Sequence, residues 1–301
     1  MSDPAEQAAG VPPGALAAAT RSTRPPGPTR RQIAEQAQRR RAVLIATISS
    51  IVVFGIVSLL LVSSPGWGQV RAAFFSGSDF RASFPDILRA FALNVKMFLT
   101  AEVFILIFSM ALALAKSSRS PLLFPIRLAA TVYVDVFRGI PSILVLLLLG
   151  FGMPALQIGG LPTDPVFWGI VALVMSYSAY VAEVFRSGID SVHESQRAAA
   201  RSLGLTSAQT MRYVLLPQGV RRVIPPLLND FIALQKETAL VSVIGPIEAA
   251  RQAQIYASRT FNYTSYVAAA CIFIAITIPQ TRFVDHLIVR QQRRTGGRVA
   301  P

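Results

Sequence analysis

Residues 42–62, AVLIATISSIVVFGIVSLLLV, carry no charged side chain. A helix of that length rises roughly 32 Å at about 1.5 Å per residue, enough to cross a hydrocarbon layer about 30 Å thick. Peptide groups in lipid have no water to bond, so a spanning segment must be a helix or a strand of a closed barrel. A long apolar run without alternation is the helical case. Runs at about 91–115, 131–152, 165–185 and 265–288 repeat the pattern. One more, at about 223–246, contains Asn229, Asp230, Lys236 and Glu237, and hydropathy alone does not mark it as a span. The expectation is an all-α integral membrane protein of about six transmembrane helices.

Charge supports that class and sets a direction. The chain has 29 Lys and Arg against 15 Asp and Glu, a formal net charge of +14. A nucleic-acid-binding protein would gather such charge on one soluble face, whereas here the arginines stand at the ends of apolar runs. Arg39 to Arg41, Lys116 to Arg127, Arg186 to Arg222 and Arg290 to Arg298 fall on one side of a six-span topology. Only Arg71, Arg81, Arg89, Arg251 and Arg259 fall on the other. The positive-inside rule then puts both termini and the 187–222 loop in the cytoplasm.

The segments between spans follow. Residues 1–41, with Pro25-Pro26-Gly27-Pro28 and no early apolar core, read as a disordered basic cytoplasmic tail, helical near its end, and not as a signal peptide. Residues 42–63 are an N-terminal transmembrane helix, and 64–90, with four phenylalanines among arginines, an extracytoplasmic amphipathic segment. The core is 91–289, and 290–301 a basic cytoplasmic tail. Cys271, the one cysteine, lies in an apolar run and reads as packing.

The least apolar stretch inside the core is QRAAARSLGLTSAQTMRYVLLP, Gln196 to Pro217. Residues 197–203 form helix readily, and Gly204 sits where a helix closes through a left-handed C′ residue. Thr206 and Gln209 have the capping-box spacing of a second helix, which Pro217 is expected to stop.

The order Ala199-Ala200, Gly204 four residues on, then Leu216-Pro217 resembles the EAA loop of permease subunits of ATP-binding-cassette importers. Three other stretches carry the same resemblance, to polar-amino-acid permeases. Tyr133 to Pro141 (YVDVFRGIP) is similar to "YVEVFRGTP", and Tyr180 to Ile189 (YVAEVFRSGI) to "YxAEIFRGGI". Lys236 to Ile244 (KETALVSVI) is similar to "KDTSLVSVI". Together they cover roughly residues 68–289, and the chain departs from the pattern at Asp135, Ile140, Ala198 (where the family has Glu) and Ala239. The resemblance implies a type I importer: a five-helix permease core, here preceded by one additional helix, in the plasma membrane of a bacterium. Two permease subunits, identical or paralogous, would work with a dimer of ATP-binding-cassette ATPase subunits and an extracytoplasmic solute-binding protein, surrounded by lipid. ATP and Mg would be held by the ATPase, so this chain binds no cofactor and performs no chemistry. Ala198, Ala199, Ala200, Gly204, Leu205 and Pro217 would carry the coupling contact with the ATPase.

Ionisable groups at membrane depth cost about 2.5–3.5 kcal/mol each on insertion scales, so they mark networks or aqueous paths. Glu102, Asp230, Lys236, Glu237 and Thr238 are therefore candidates for the translocation path or for a structural network. Lys236 and Glu237 are adjacent and point to different sides of a helix, so each needs a partner elsewhere. Asp135 with Arg138, and Glu183 with Arg186, stand at i,i+3 and read as structural pairs. No Walker A, H-E-x-x-H, G-x-S-x-G or Cys/His metal pattern occurs, which leaves no catalytic or metal site to name. The rival reading is an ion-driven secondary transporter of small polar solutes. It predicts an internal repeat with matching broken helices, and none is visible.

Overall fold

The structure is a computed structural model that describes residues 30–118 and 120–294, with side chains described for 38–118 and 120–290. The tail over 1–29, Arg119 and residues 295–301 lie outside the described residues. The chain divides into two units, Met1–Trp67 and Gly68–Pro301. The first holds α1 (Arg30–Val62), which is already helical through Arg39 to Arg41 before the apolar run begins. Its spanning part is Gln38–Val62.

The second unit is built around two long helices, α3 (Gly77–Ser117) and α6 (Pro165–Asp190), after a short α2 (Trp67–Phe74). Expected as an amphipathic segment ending near residue 90, the second half of 64–90 instead forms the opening turns of α3. Ser76 caps α3, its Oγ accepting from the Asp79 amide. Ile87 and Phe91 then bury a face against α10 (Ala249–Thr260) and α11 (Thr264–Arg294). Apolar packing therefore extends α3 beyond the run that hydropathy marks.

The third expected span, 131–152, is not one helix. It is α4 (Phe124–Gly139) and α5 (Ser142–Ala155), which meet at 104°. Pro141 has no amide hydrogen to continue the ladder, and its ring drives Ile140 to extended geometry (φ −100°, ψ 129°). Among the described residues four helices are long and apolar enough to span, and a fifth if this bent pair is counted as one.

Polypeptide in lipid gains little from hiding apolar surface, so helices associate where small residues let backbones approach. Four glycines do this, in three contacts around α6 and α5. Gly188 of α6 meets Gly219 of α9 (Leu216–Glu237), and a Cβ on Gly188 would lie 2.7 Å from the Gly219 carbonyl oxygen. Gly169 of α6 faces Val241, and Gly150 of α5 faces Ile244, both in the 3₁₀ segment Thr238–Ile244. The core that results buries Met97, Ala101, Leu146, Leu173, Leu234 and Val241.

A polar tie joins α3, the 3₁₀ segment and α10. Asn94 Nδ2 donates to Thr238 Oγ1 (3.0 Å) and Glu248 Oε2 (2.8 Å), while Asn94 Oδ1 accepts from the Ala249 amide (3.1 Å). Glu248 caps α10, taking the Ala250 amide on Oε2 and the Arg251 amide on Oε1. Burial pushes the Glu248 carboxyl above the ordinary carboxylate range, and the donations from Ala250, Asn94 and Arg251 act against that push. Every contact uses an acceptor, so Glu248→Gln must turn an NH₂ toward an N–H whichever way it flips. We expect that substitution to cost about 1–3 kcal/mol. A thermal unfolding midpoint in detergent unchanged from the parent would contradict it.

Candidate functional site

The loop between α6 and α9 folds as two short helices. α7 (Glu194–Ser202) starts at His193, whose side chain accepts from the Ser195 amide. It ends in a Schellman turn: the Leu205 amide donates to Ala200 O (3.2 Å) and the Gly204 amide to Arg201 O (3.0 Å). Gly204 takes φ +83°, the left-handed conformation this turn needs. α8 (Ser207–Thr210) opens on the capping box, with the Thr206 amide on Gln209 Oε1 (2.8 Å) and the Gln209 amide on Thr206 Oγ1 (3.2 Å). Ala198, Ala199 and Gly204 are exposed, Leu205 is half-buried, and Ala200 turns inward. Leu203 projects from the hinge, 83% exposed.

Pro217 does not stop the second helix. α8 passes through a π turn, Met211–Leu215, directly into α9, and Pro217 stands in the first turn of α9. A proline ring clashes with the carbonyl four residues back in an α-helix, and the wider π turn gives it room. Pro225 and Pro226 lie in the interior of α9. α8, the π turn and α9 thus form one unbroken helical run from the loop into the bundle.

Charged groups anchor the base of the loop. Glu183 accepts from Lys116 Nζ of α3 and from Arg186 Nε (2.9 Å), and Arg186 Nη1 reaches Asp190 (2.6 Å). Arg222 of α9 donates to the Ser191 carbonyl and hydroxyl. Lys116 and Glu183 are only 11% and 17% exposed, so this tie between α3 and α6 is largely desolvated. The sequence reading counts Lys116 only as a topological charge; its place directly after an apolar run was the available signal. Glu183→Gln leaves Lys116 with no counter-charge and Arg186 with Asp190 alone, and we expect destabilisation at the low end of about 3–5 kcal/mol. Lys116→Met combined with Glu183→Gln should recover part of it, which thermal melts of the single and double variants would show.

Asp135 and Arg138 are both exposed and form no ion pair among the described residues. The guanidinium is taken up elsewhere, so i,i+3 spacing alone does not bring the two together. Arg138 instead lies over the Tyr180 ring, 5.9 Å from its centroid, and its carbonyl accepts from Tyr180 OH (3.2 Å).

The remaining polar candidates come from different elements. Glu102 of α3 and Asp230 of α9 lie within electrostatic reach of each other, and Asp230 and Glu237 within reach of Tyr177 on α6. Phe98 packs edge-on against Phe231, 4.5 Å between centroids, which holds α3 to α9 beside them. Asp230 Oδ2 and Gln235 Oε1 are buried without a hydrogen-bond partner. Lys236 is exposed and forms no ion pair among the described residues, while Thr238 is buried in the Asn94 tie. A half-buried acidic line thus runs between α3, α6 and α9. It can attract a cationic or zwitterionic solute.

Comparison with known proteins decides the family. Residues 111–293 match the profile of the binding-protein-dependent transport system inner membrane component. The chain belongs to this family. It is therefore a membrane component of a transport system, and its loop and bundle are those of a permease. Among its relatives is the arginine transport system permease protein ArtQ of Bacillus subtilis (strain 168), 32% identical over 71% of this chain and 96% of ArtQ. The probable amino-acid permease protein YxeN of the same organism is 33% identical over 65% and 87%. A solved amino acid ABC transporter with histidines matches with a TM-score of 0.62 and 36% identity, over 68% of this chain and 94% of that one. The MetNI methionine ABC transporter, inward facing, shares the fold at a TM-score of 0.55 and 17% identity.

Proposed function

We propose that this permease carries a polar amino acid into the cytoplasm, driven by ATP hydrolysis on a separate ATPase subunit. The observation that carries this reading is the loop: two short helices hinged at a left-handed glycine, with Leu203 projecting 83% exposed and α8 continuous with α9. A load on α8 passes along that run into α9, which carries Asp230 and Glu237 of the acidic line. The same loop holds the basic residues that the positive-inside rule assigns to the cytoplasm, with both termini on that side. ATP and Mg belong to the ATPase, substrate arrives from an extracytoplasmic binding protein, and a second permease completes the path. The substrate class rests on the relatives, and the acidic line suits the ammonium that amino acids share.

The test is mild-detergent purification of the tagged chain from its own membrane, with mass-spectrometric identification of what accompanies it. An ATP-binding-cassette subunit that cross-links to a cysteine placed at Leu203 is the expected result. Isolation of the chain alone at full yield, with no ATPase even after cross-linking, would overturn the proposal.

A further inference from the structure

Phe261 closes α10 in the left-handed region, at φ +56° and ψ 25°. A residue with a β-carbon is disfavoured there, and a bulky one is an outlier. Helix ends of this shape ordinarily take Gly or Asn. Packing does not compensate, because Phe261 is 85% exposed. The backbone around it is fixed by its neighbours instead. The Phe261 amide donates to Ala257 O (2.9 Å), Asn262 Nδ2 to Ala72 O (3.0 Å) and the Tyr263 amide to Ala73 O (2.7 Å). Tyr263 also stacks on Phe74, 5.2 Å between centroids. The turn is thus latched to the end of α2, and it holds out a large apolar ring that nothing inside the chain uses. Strain held in place by its surroundings in this way points to function.

That ring stands at the end of the bundle opposite the two-helix loop. Near one end of α3, Leu114 packs with Ile189, Val192 and Leu215 at the base of the loop. At the other end the Ser76 amide donates to Oγ1 of Thr264 (3.0 Å), three residues after Phe261. α3 has 41 residues and so runs roughly 60 Å at about 1.5 Å per residue. A bilayer with its headgroups is about 40–45 Å thick. The first turns of α3 therefore clear the hydrocarbon, and they carry the exposed ion pair Arg89–Asp86 (3.0 Å). Phe261 lies beyond that pair, so water and not lipid surrounds its ring in the isolated chain.

We propose that Phe261 is the anchor on which the extracytoplasmic solute-binding protein docks, an inference that rests on the importer reading above. The family is that of binding-protein-dependent transport systems, and this end of the bundle is the one turned away from the ATPase loop. Docked proteins commonly bury an aromatic anchor at the centre of the contact, while charges at its rim steer the encounter. Phe75, 61% exposed, extends the apolar patch. Arg71 and Arg259 are exposed beside it, and neither forms an ion pair among the described residues. Asp79, in the first turn of α3, is engaged by Ser76 Oγ (2.5 Å) and Tyr256 OH (3.4 Å). The rim is therefore basic, and it fits a partner surface whose apolar cup is edged by carboxylates.

The test places p-benzoylphenylalanine at position 261 of the complete chain, in its own membrane with its partners, and irradiates during uptake of a labelled amino-acid mixture. Mass spectrometry identifies the adduct. The expected product joins this chain to a solute-binding protein, at least tenfold more than when the probe replaces Leu122, which is exposed at the loop end. Arg259→Glu should weaken that adduct severalfold and flatten its salt dependence. Phe261→Gly and Phe261→Asn both suit the left-handed backbone. Each should reach parental abundance, melt at or above the parental temperature and lose tenfold or more of uptake, whereas Phe261→Tyr, which keeps a ring, should retain most of it. No adduct, an adduct only with phospholipid, a second copy of this chain or another protein, or parental uptake by Phe261→Gly would overturn the proposal. The solute-binding-protein adduct formed by a chain that purifies without any ATPase would instead sink the importer reading and leave this surface standing.

Discussion

A valine at position 188 is expected to leave almost no correctly folded permease. A Cβ on Gly188 meets Val223 Cγ1 at 2.3 Å and the Gly219 carbonyl oxygen at 2.7 Å. The side-chain contact could yield by rotation, but the carbonyl belongs to the α9 backbone and cannot. Overpacking a well-filled core costs about 1–3 kcal/mol when side chains can give way. Here α6 and α9 would have to separate, so the effect should exceed that range. Gly219→Val should behave alike, since a Cβ there meets the Gly188 and Ile189 backbone at 3.0 Å. Gly152→Val is the matched control: the same residue change in α5, with nothing within 4 Å. Fluorescence-detected size exclusion of tagged variants reads the outcome. A sharp parental peak from Gly188→Val would show that the crossing tolerates what the geometry forbids.

The second large effect is on function, with the fold kept. Gly204 has nothing within 4 Å of a would-be Cβ, so space is not its constraint; its φ of +83° is. A residue bearing a β-carbon loses about 1–2 kcal/mol there, and a β-branched one more. The loop would relieve that strain by opening the Schellman turn, which re-aims α7 against α8. Gly204→Val should therefore insert at parental abundance and lose uptake, while ATP hydrolysis by the partner persists. Asn enters the left-handed region more readily, so Gly204→Asn should keep a measurable share of uptake. Parental uptake by Gly204→Val at matched abundance would end this account.

The two-helix loop between α6 and α9 was legible because its structure is local. A Schellman turn depends on one glycine after a helix-forming run, and a capping box on two side chains three residues apart; both lie within a few residues of sequence. Pro217 misled because the same residue stops a helix in its interior and suits its first turn, and only the π turn before it chose between them. The bend at Pro141 was written in the sequence too, but an apolar run that long reads as one span when proline is weighed alone.

The acidic candidates show the other limit. Glu102 and Asp230 are far apart in the chain, and no spacing rule relates them. Lys116 reaches Glu183 for the same reason that Asn94 reaches Glu248: α3 packs beside its partners.

The sequence alone determined that this chain enters a membrane as helices, which of its loops carries the positive charge, and that one of them is a pair of capped helices. Those features follow from solvent transfer and from hydrogen bonds among near neighbours. Only the tertiary structure decided where α6 and α9 touch, which carboxylate takes which cation, and that α8 runs on into α9. These depend on backbones approaching within a methyl group of one another, and Gly188 and Gly219 acquire that meaning only when they meet.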